Sequence, residues 1–271
     1  MTDQAENLRT MIEQVAPRLP HKARRIAFVS GKGGVGKTTV SVNIALAMAK
    51  MRKRTILIDC DLGLANADVL LGLQPRATLD NLLTAKSEIR DVLVNLPSGL
   101  WLLPGAGSIV PRQAVASGKL EKVVFKLDDT ADFILMDAAA GIDEGVQYIA
   151  RICDEAVIIA TPDSPSTINA YRLIKILLKR KPSLSIRIIL NKAPDHLTAR
   201  RAAMGLIDAT KEFLQTDAEY VGWIPYDVTV EKAARERRPL IEKYPGSEAA
   251  RAIVMLANKL LEPPPEPPIA A

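Results

Sequence analysis

From Arg25 onward, the short apolar runs RIAFVS, RTILID, LWLLPG, DFILMD, EAVIIAT, IRIILN and YVGWIP alternate with segments long enough to be helices. A strand that is apolar along its whole length has no face to offer to water. Strands of this kind, separated by helix-sized segments, call for a mostly parallel sheet covered on both sides. The expected fold class is therefore α/β, a doubly wound, mostly parallel sheet of about seven or eight strands with helices on both faces.

The 271 residues are 48% hydrophobic, enough for one sizeable core. Residues 21–262 are expected to form that domain, preceded by an arm over 1–20 and followed by a disordered tail over 263–271. In the arm, Ala5, Leu8, Met11, Ile12 and Val15 recur at helical spacing before Pro17 and Pro20 stop the pattern. The tail, PPPEPPIAA, cannot form a helix. Between them, SEAARAIVMLANKLLE places Ala249, Ile253, Leu256, Ala257 and Leu260 on one face. Core packing is the expected role, since the polar face is poor in the Lys and Arg of membrane-surface helices.

A formal charge of +5 suits either an anionic partner or an ordinary mixed surface. Cys60 and Cys153 are the only cysteines, with no CxxC, so neither a disulfide framework nor a structural zinc site is supported. The start of the chain is acidic and helical rather than a secretory signal, and no apolar run is long enough to span a membrane. The expected location is the reducing cytoplasm, with at most peripheral attachment to the inner face of the cell membrane.

Gly31, Gly36, Lys37 and Thr38 satisfy GxxxxGK[ST] between an expected strand and an expected helix. In that setting the backbone of Gly31, Lys32, Gly33, Gly34, Val35, Gly36, Lys37, Thr38 and Thr39 can turn its N–H groups onto phosphates, with the positive end of the helix behind them. Lys37 would neutralise β/γ oxygens and the Thr38 hydroxyl would ligate Mg²⁺, so ATP and Mg²⁺ are the expected ligands. None of this requires Lys32. It is either a solvated cation at the mouth of the loop or a group that reaches a phosphate bound elsewhere.

GKGGVGKTT resembles the deviant Walker A motif of the MinD/ParA ATPases, and the likeness extends over roughly Arg25 to Leu261. The resemblance implies a P-loop ATPase in which Lys32 crosses a face-to-face homodimer to the other subunit's phosphates. ATP then joins the dimer and slow hydrolysis releases it. LIDCDLGLANADVLLG resembles the first switch region, which implies that Asp61 helps to hold the metal and place the attacking water. Asp59 reads either as a second functional carboxylate or as a strand-terminal one. DFILMDAAAGID reads as Walker B with a second switch: Asp137 would hold Mg²⁺ through water, and Ala138 stands where relatives commonly carry a hydroxyl or other small residue. Asn191 resembles the family's base-reading asparagine, and Pro225 falls in the loop expected to close over the base. The resemblance implies Lys32, Lys37 and Asp61 as the catalytic set.

Within that family, DLGLANADVLLGL and TPDSPSTINAYRLIKIL are most similar to the FlhG (FleN or YlxH) branch, which controls flagellar number and placement. DQAENLR also resembles that branch's DQAxxLR segment, which implies that Asp3, Gln4, Ala5, Leu8 and Arg9 act on FlhF, a GTPase of the signal-recognition-particle type. A flagellar transcription activator or rotor protein is a further partner that the resemblance allows. Membrane cycling is open, because the terminal helix lacks a basic amphipathic face. The alternatives are a ParA-type DNA-partition or MinD-type division-site ATPase, and an iron–sulfur scaffold on the same fold. The basic runs are short, so no specific nucleic acid is expected; the scaffold would need cysteines at a dimer edge.

Overall fold

The computed structural model describes residues 22–61, 66–105 and 118–264. The arm, including Asp3, Gln4, Ala5, Leu8 and Arg9, and all but the first two residues of the proline-rich tail lie outside the described residues.

Eight strands form one sheet: β1 (Arg24–Ser30), β2 (Thr55–Cys60), β3 (Val94–Asn95), β4 (Trp101–Leu103), β5 (Phe133–Ala140), β6 (Glu155–Ala160), β7 (Ser185–Ala193) and β8 (Glu219–Pro225). Their order is β3-β4-β2-β5-β1-β6-β7-β8. All neighbours are parallel except β3 and β4, which run antiparallel.

The period-two geometry of a strand explains why these segments are apolar throughout. In β1, Ile26 and Phe28 enter one core while Ala27 and Val29 enter the other. β5 divides in the same way: Ile134, Met136 and Ala138 face one side, Phe133 and Leu135 the other.

One layer contains α1 (Lys37–Lys50), the four-residue α2 (Ala67–Leu70), α9 (Val228–Arg235), α10 (Leu240–Lys243) and α11 (Glu248–Leu261). The other contains α3 (Leu79–Leu83), α4 (Ile89–Val92), α5 (Lys119–Leu127), α6 (Glu144–Ile152), α7 (Ser164–Arg180) and α8 (His196–Leu214). In α11, Ala249, Ile253, Leu256, Ala257 and Leu260 are buried, as their helical spacing predicts. No described helix is long and apolar enough to cross a membrane.

The order of the strands places the site. From β1 the chain moves to one side through β2, β4 and β5, then crosses to the other through β6, β7 and β8. Ligands of open α/β sheets bind at such a reversal, outside the carboxyl ends of the strands. Every candidate site residue among those described lies at that edge.

Candidate nucleotide-binding site

The phosphate loop runs from the end of β1 into α1, and at its two ends, Gly31 and Gly36, little space surrounds it. A Cβ on Gly31 would collide with the Asn169 backbone of α7. Gly36, at the start of α1, has φ 89°, and a Cβ there would collide with the Asn191 amide. Both positions therefore exclude side chains, and Gly36 also needs the left-handed backbone that glycine adopts without strain.

Lys37 Nζ lies 2.7 Å from Asp137 Oδ1 and 3.3 Å from Thr38 Oγ1. Lys37 is 6% exposed and Asp137 is fully buried, so each compensates the other's charge in a dry setting. Asp137 Oδ2, also buried, has no hydrogen-bond partner, and neither does Ser30 Oγ at the end of β1. An unsatisfied carboxylate oxygen beside a P-loop hydroxyl is a hard oxygen site, the chemistry that Mg²⁺ takes together with its waters. The residues thus fit the metal implied by the motif.

Asp59 is paired in register with Asp137 on the neighbouring strand. It is buried, and it accepts the backbone N–H groups of Asp61, Asn66 and Ala67, each at 3.0 Å. Its carboxylate thus ties both sides of the segment between β2 and α2, and fixes the backbone that carries Asp61. Burial, followed by the charge of Asp137, pushes its carboxyl up to about 7, against the three N–H groups that favour the charged form.

Asn191, at the end of β7, turns its side chain onto the phosphate loop. Nδ2 donates to the Val35 carbonyl at 2.7 Å, while Oδ1 accepts the Lys192 N–H at 2.9 Å. Lys192 has φ 57° and donates from Nζ to the Gly34 carbonyl at 2.8 Å. The two residues hold the loop from the side of β7. Pro225 is the last residue of β8, opposite Ala193, and the next residue, Tyr226, donates its N–H to the Ala193 carbonyl.

Lys32 stands apart from this buried group. It is half-exposed, with Nζ 3.8 Å from Asp163 Oδ1, on a cleft of about 400 Å³ shared with Gly33, Gly34, Val35 and Lys192. Asp163 caps α7 by accepting the Ser166 N–H. Its carboxyl is held below the usual range by the Thr161 hydroxyl, which donates to it, with a smaller contribution from Lys32.

The structure thus brings Gly31 to Thr39, Asp61, Asp137, Asn191 and Pro225 to one sheet edge. It also shows three residues whose roles the sequence reading did not identify: Asp163, Lys192 and, as a tie, Asp59. Asp163 carries a legible signal, an Asp followed three residues later by Ser at the head of a helical pattern. The roles of Lys192 and Asp59 depend on contacts across the sheet and have no local signature. Cys153 is fully buried, with burial raising its thiol well above its usual pKa, so it offers no thiol at a dimer edge.

A loop of this form between strand and helix, with a buried Lys–Asp pair beneath it, defines a P-loop NTPase. A family model described as "ParA: NUBPL iron-transfer P-loop NTPase" matches residues 22–261. The antiactivator FleN of Pseudomonas aeruginosa is 38% identical over 243 residues, covering 89% of this chain and 87% of FleN. The flagellum site-determining protein YlxH of Helicobacter pylori is 29% identical over 240 residues, 87% of this chain and 81% of YlxH. Among solved structures, the septum site-determining protein MinD of Pyrococcus horikoshii, complexed with Mg-ADP, superposes with a TM-score of 0.75 at 26% identity, covering 88% of this chain and 96% of that one. The chain belongs to the ParA/MinD family of P-loop NTPases, and it is an ATPase.

Proposed function

We propose that this ATPase is a regulatory switch of the flagellar branch: ATP joins two copies face to face, the dimer controls flagellar number or placement, and slow hydrolysis resets it. The observation that carries this reading is the identity to FleN along nearly the whole chain, and the likeness to YlxH points the same way.

Phosphoryl transfer is mainly a matter of positioning and charge neutralisation, and the residues divide the work accordingly. Lys37 shifts part of its contact from Asp137 to the β/γ oxygens of ATP, while loop N–H groups hold the rest of the phosphate chain. Thr38, Asp137 and Asp61 would hold Mg²⁺, which when bound neutralises charge on the phosphate oxygens. Asp61 orients the attacking water, and Asp59 keeps it in place through the backbone. Asn191 meets the adenine by exchanging its bond to Val35 for one to the base, with the loop after Pro225 alongside. Lys32 leaves Asp163 and crosses to the partner subunit's phosphates.

Residues 1–20 extend the switch to a second protein, a GTPase of the signal-recognition-particle type, through Asp3, Gln4, Ala5, Leu8 and Arg9. The test is a lysate pull-down with the hydrolysis-deficient Asp61→Ala protein, with and without residues 1–19, read by mass spectrometry. Recovery of such a GTPase only with the arm present supports the proposal. A DNA-bound or septum-associated partner recovered equally without the arm would overturn it in favour of a partition or division role.

A further inference from the structure

We propose that α7 and α8 form a docking groove for the chain's own N-terminal arm, so that the arm is stored on the ATPase domain until a partner takes it. The groove has a volume of about 610 Å³ and lies beside the nucleotide cleft, with which it shares Pro162. Its floor is small and apolar, made by Ala202, Gly205, Leu206 and Ala209, with Tyr171 and Ile168 as its wall. Ile168 is 52% exposed, and a Cβ on Gly205 would meet only open space.

Three observations select the occupant. The first is position. Lys22, where the described chain begins, lies 4.0 Å from Asp154, and Lys181 at the end of α7 donates to the carbonyl of the adjacent Cys153. The arm therefore departs beside the C-terminal end of α7 and can run back along that helix. The second is length. Residues 3–15 in helical form span about 20 Å and so fit within the roughly 25 Å of α7, which has 17 residues. Pro17 and Pro20 would supply the bend. The third is charge and pattern. Arg201 lines the groove, and the exposed cations Arg172 and Lys175 follow Ile168 and Tyr171 by one helical turn on α7. Over residues 3–15 the arm carries Asp3, Glu6 and Glu13 against Arg9, with Arg18 lying beyond Pro17, and its Ala5, Leu8, Met11, Ile12 and Val15 form an apolar stripe. Helix-in-groove recognition uses such a stripe for burial and such charges for register.

The inference does not depend on which partner later receives the arm. Docking would, however, cover the residues proposed for partner binding, so release of the arm becomes the regulated step. Because the groove adjoins Asp163, which holds Lys32, movement of Lys32 to a phosphate would alter the groove's rim.

The test is limited trypsin digestion of the nucleotide-free, full-length protein, following the rate of cutting after Arg9. A docked arm is cut at least tenfold more slowly in the wild type than in Gly205→Trp, which fills the floor, or in the Arg172→Glu/Arg201→Glu double variant, which reverses the flanking charge. These residues lie on exposed helix faces outside the ATPase site, so unchanged ATP turnover confirms that the variants are folded. Because new lysines are themselves tryptic sites, the rescue is read by amide hydrogen exchange over residues 3–15: restored protection when Glu6→Lys and Glu13→Lys are added to the charge-reversed protein supports the pairing. Equal cutting in wild type and variants would overturn the proposal. So would protection that disappears on dilution, which would make the occupant a second copy's arm.

Discussion

At the scale of single residues, the site is shaped by exclusion and by buried charge. Gly36→Ala meets two penalties, a positive φ and a collision with the Asn191 amide. Together they should cost about 1–3 kcal/mol of stability in urea titration and weaken ATP binding more than tenfold. Adding Asn191→Ala should recover the collision but not the backbone strain; full recovery would show that φ at this position costs nothing. Asp59 provides a second test. A carboxyl whose pKa rises to about 7 on folding binds its proton more tightly in the native state than in the unfolded one. Its contribution is therefore complete below pH ~4 and is lost as pH rises through 7. Stability of the nucleotide-free protein should fall by about 2–4 kcal/mol across that window, and the slope should flatten in Asp59→Asn. A pH-independent urea midpoint for the wild type would refute it.

At the scale of elements, the edge opposite the site is held by ions. Glu155 in β6 is bonded to Arg24 in β1 and to Arg187 in β7, and Arg187 also reaches Glu219 at 2.7 Å and the Glu262 carbonyl at 3.2 Å. The network joins three adjacent strands and β8 to the end of α11. Arg187, only 1% exposed, leaves buried carboxylate behind when truncated. Arg187→Ala should therefore destabilise the protein by about 3 kcal/mol in urea, while ATP affinity, set at the far edge, should change less than twofold. Loss of nucleotide affinity at full stability would contradict this division. The network also shows the limit of the sequence. Seven of the eight strands were legible because each feeds two cores and is apolar over most of its length. β3, two residues long and antiparallel, carries no period to detect. The Arg187–Glu155 pair was equally hidden, since IRIILN reads as an apolar strand whose arginine finds its carboxylate only after the sheet forms. The phosphate loop was legible because its glycines and lysine act locally. The ties made by Asp59 and Lys192 were not, because their partners lie across the edge.

At the scale of the whole molecule, the site is open on one side. Among the described residues, six large apolar side chains in segments that follow the carboxyl ends of strands have at least 43% of their surface exposed: Val69, Ile142, Ile168, Leu197, Tyr226 and Val228. At the same edge Lys32 stands half-exposed beside Asp163, while Lys37 is buried over Asp137. The two lysines thus differ in setting: Lys37 is buried against Asp137, and Lys32 is open to solvent beside Asp163. If Lys32 completes a phosphate site across a dimer, Lys32→Ala should leave ATP affinity within about threefold of wild type, because Lys37 and the loop N–H groups remain. It should weaken the ATP-dependent dimer at least tenfold, since a charge-assisted contact between subunits contributes about 1.5–3 kcal/mol. Sedimentation with ATP measures both states, run in the Asp61→Ala background, which the role proposed for Asp61 expects to hydrolyse ATP more slowly. A normal dimer from the Lys32→Ala/Asp61→Ala protein would make Lys32 a solvated cation held by Asp163. Loss of ATP binding in the Lys32→Ala protein would instead place its charge on its own subunit's phosphates. The expected result is a monomer that still binds ATP, which would separate nucleotide binding from assembly at a single side chain.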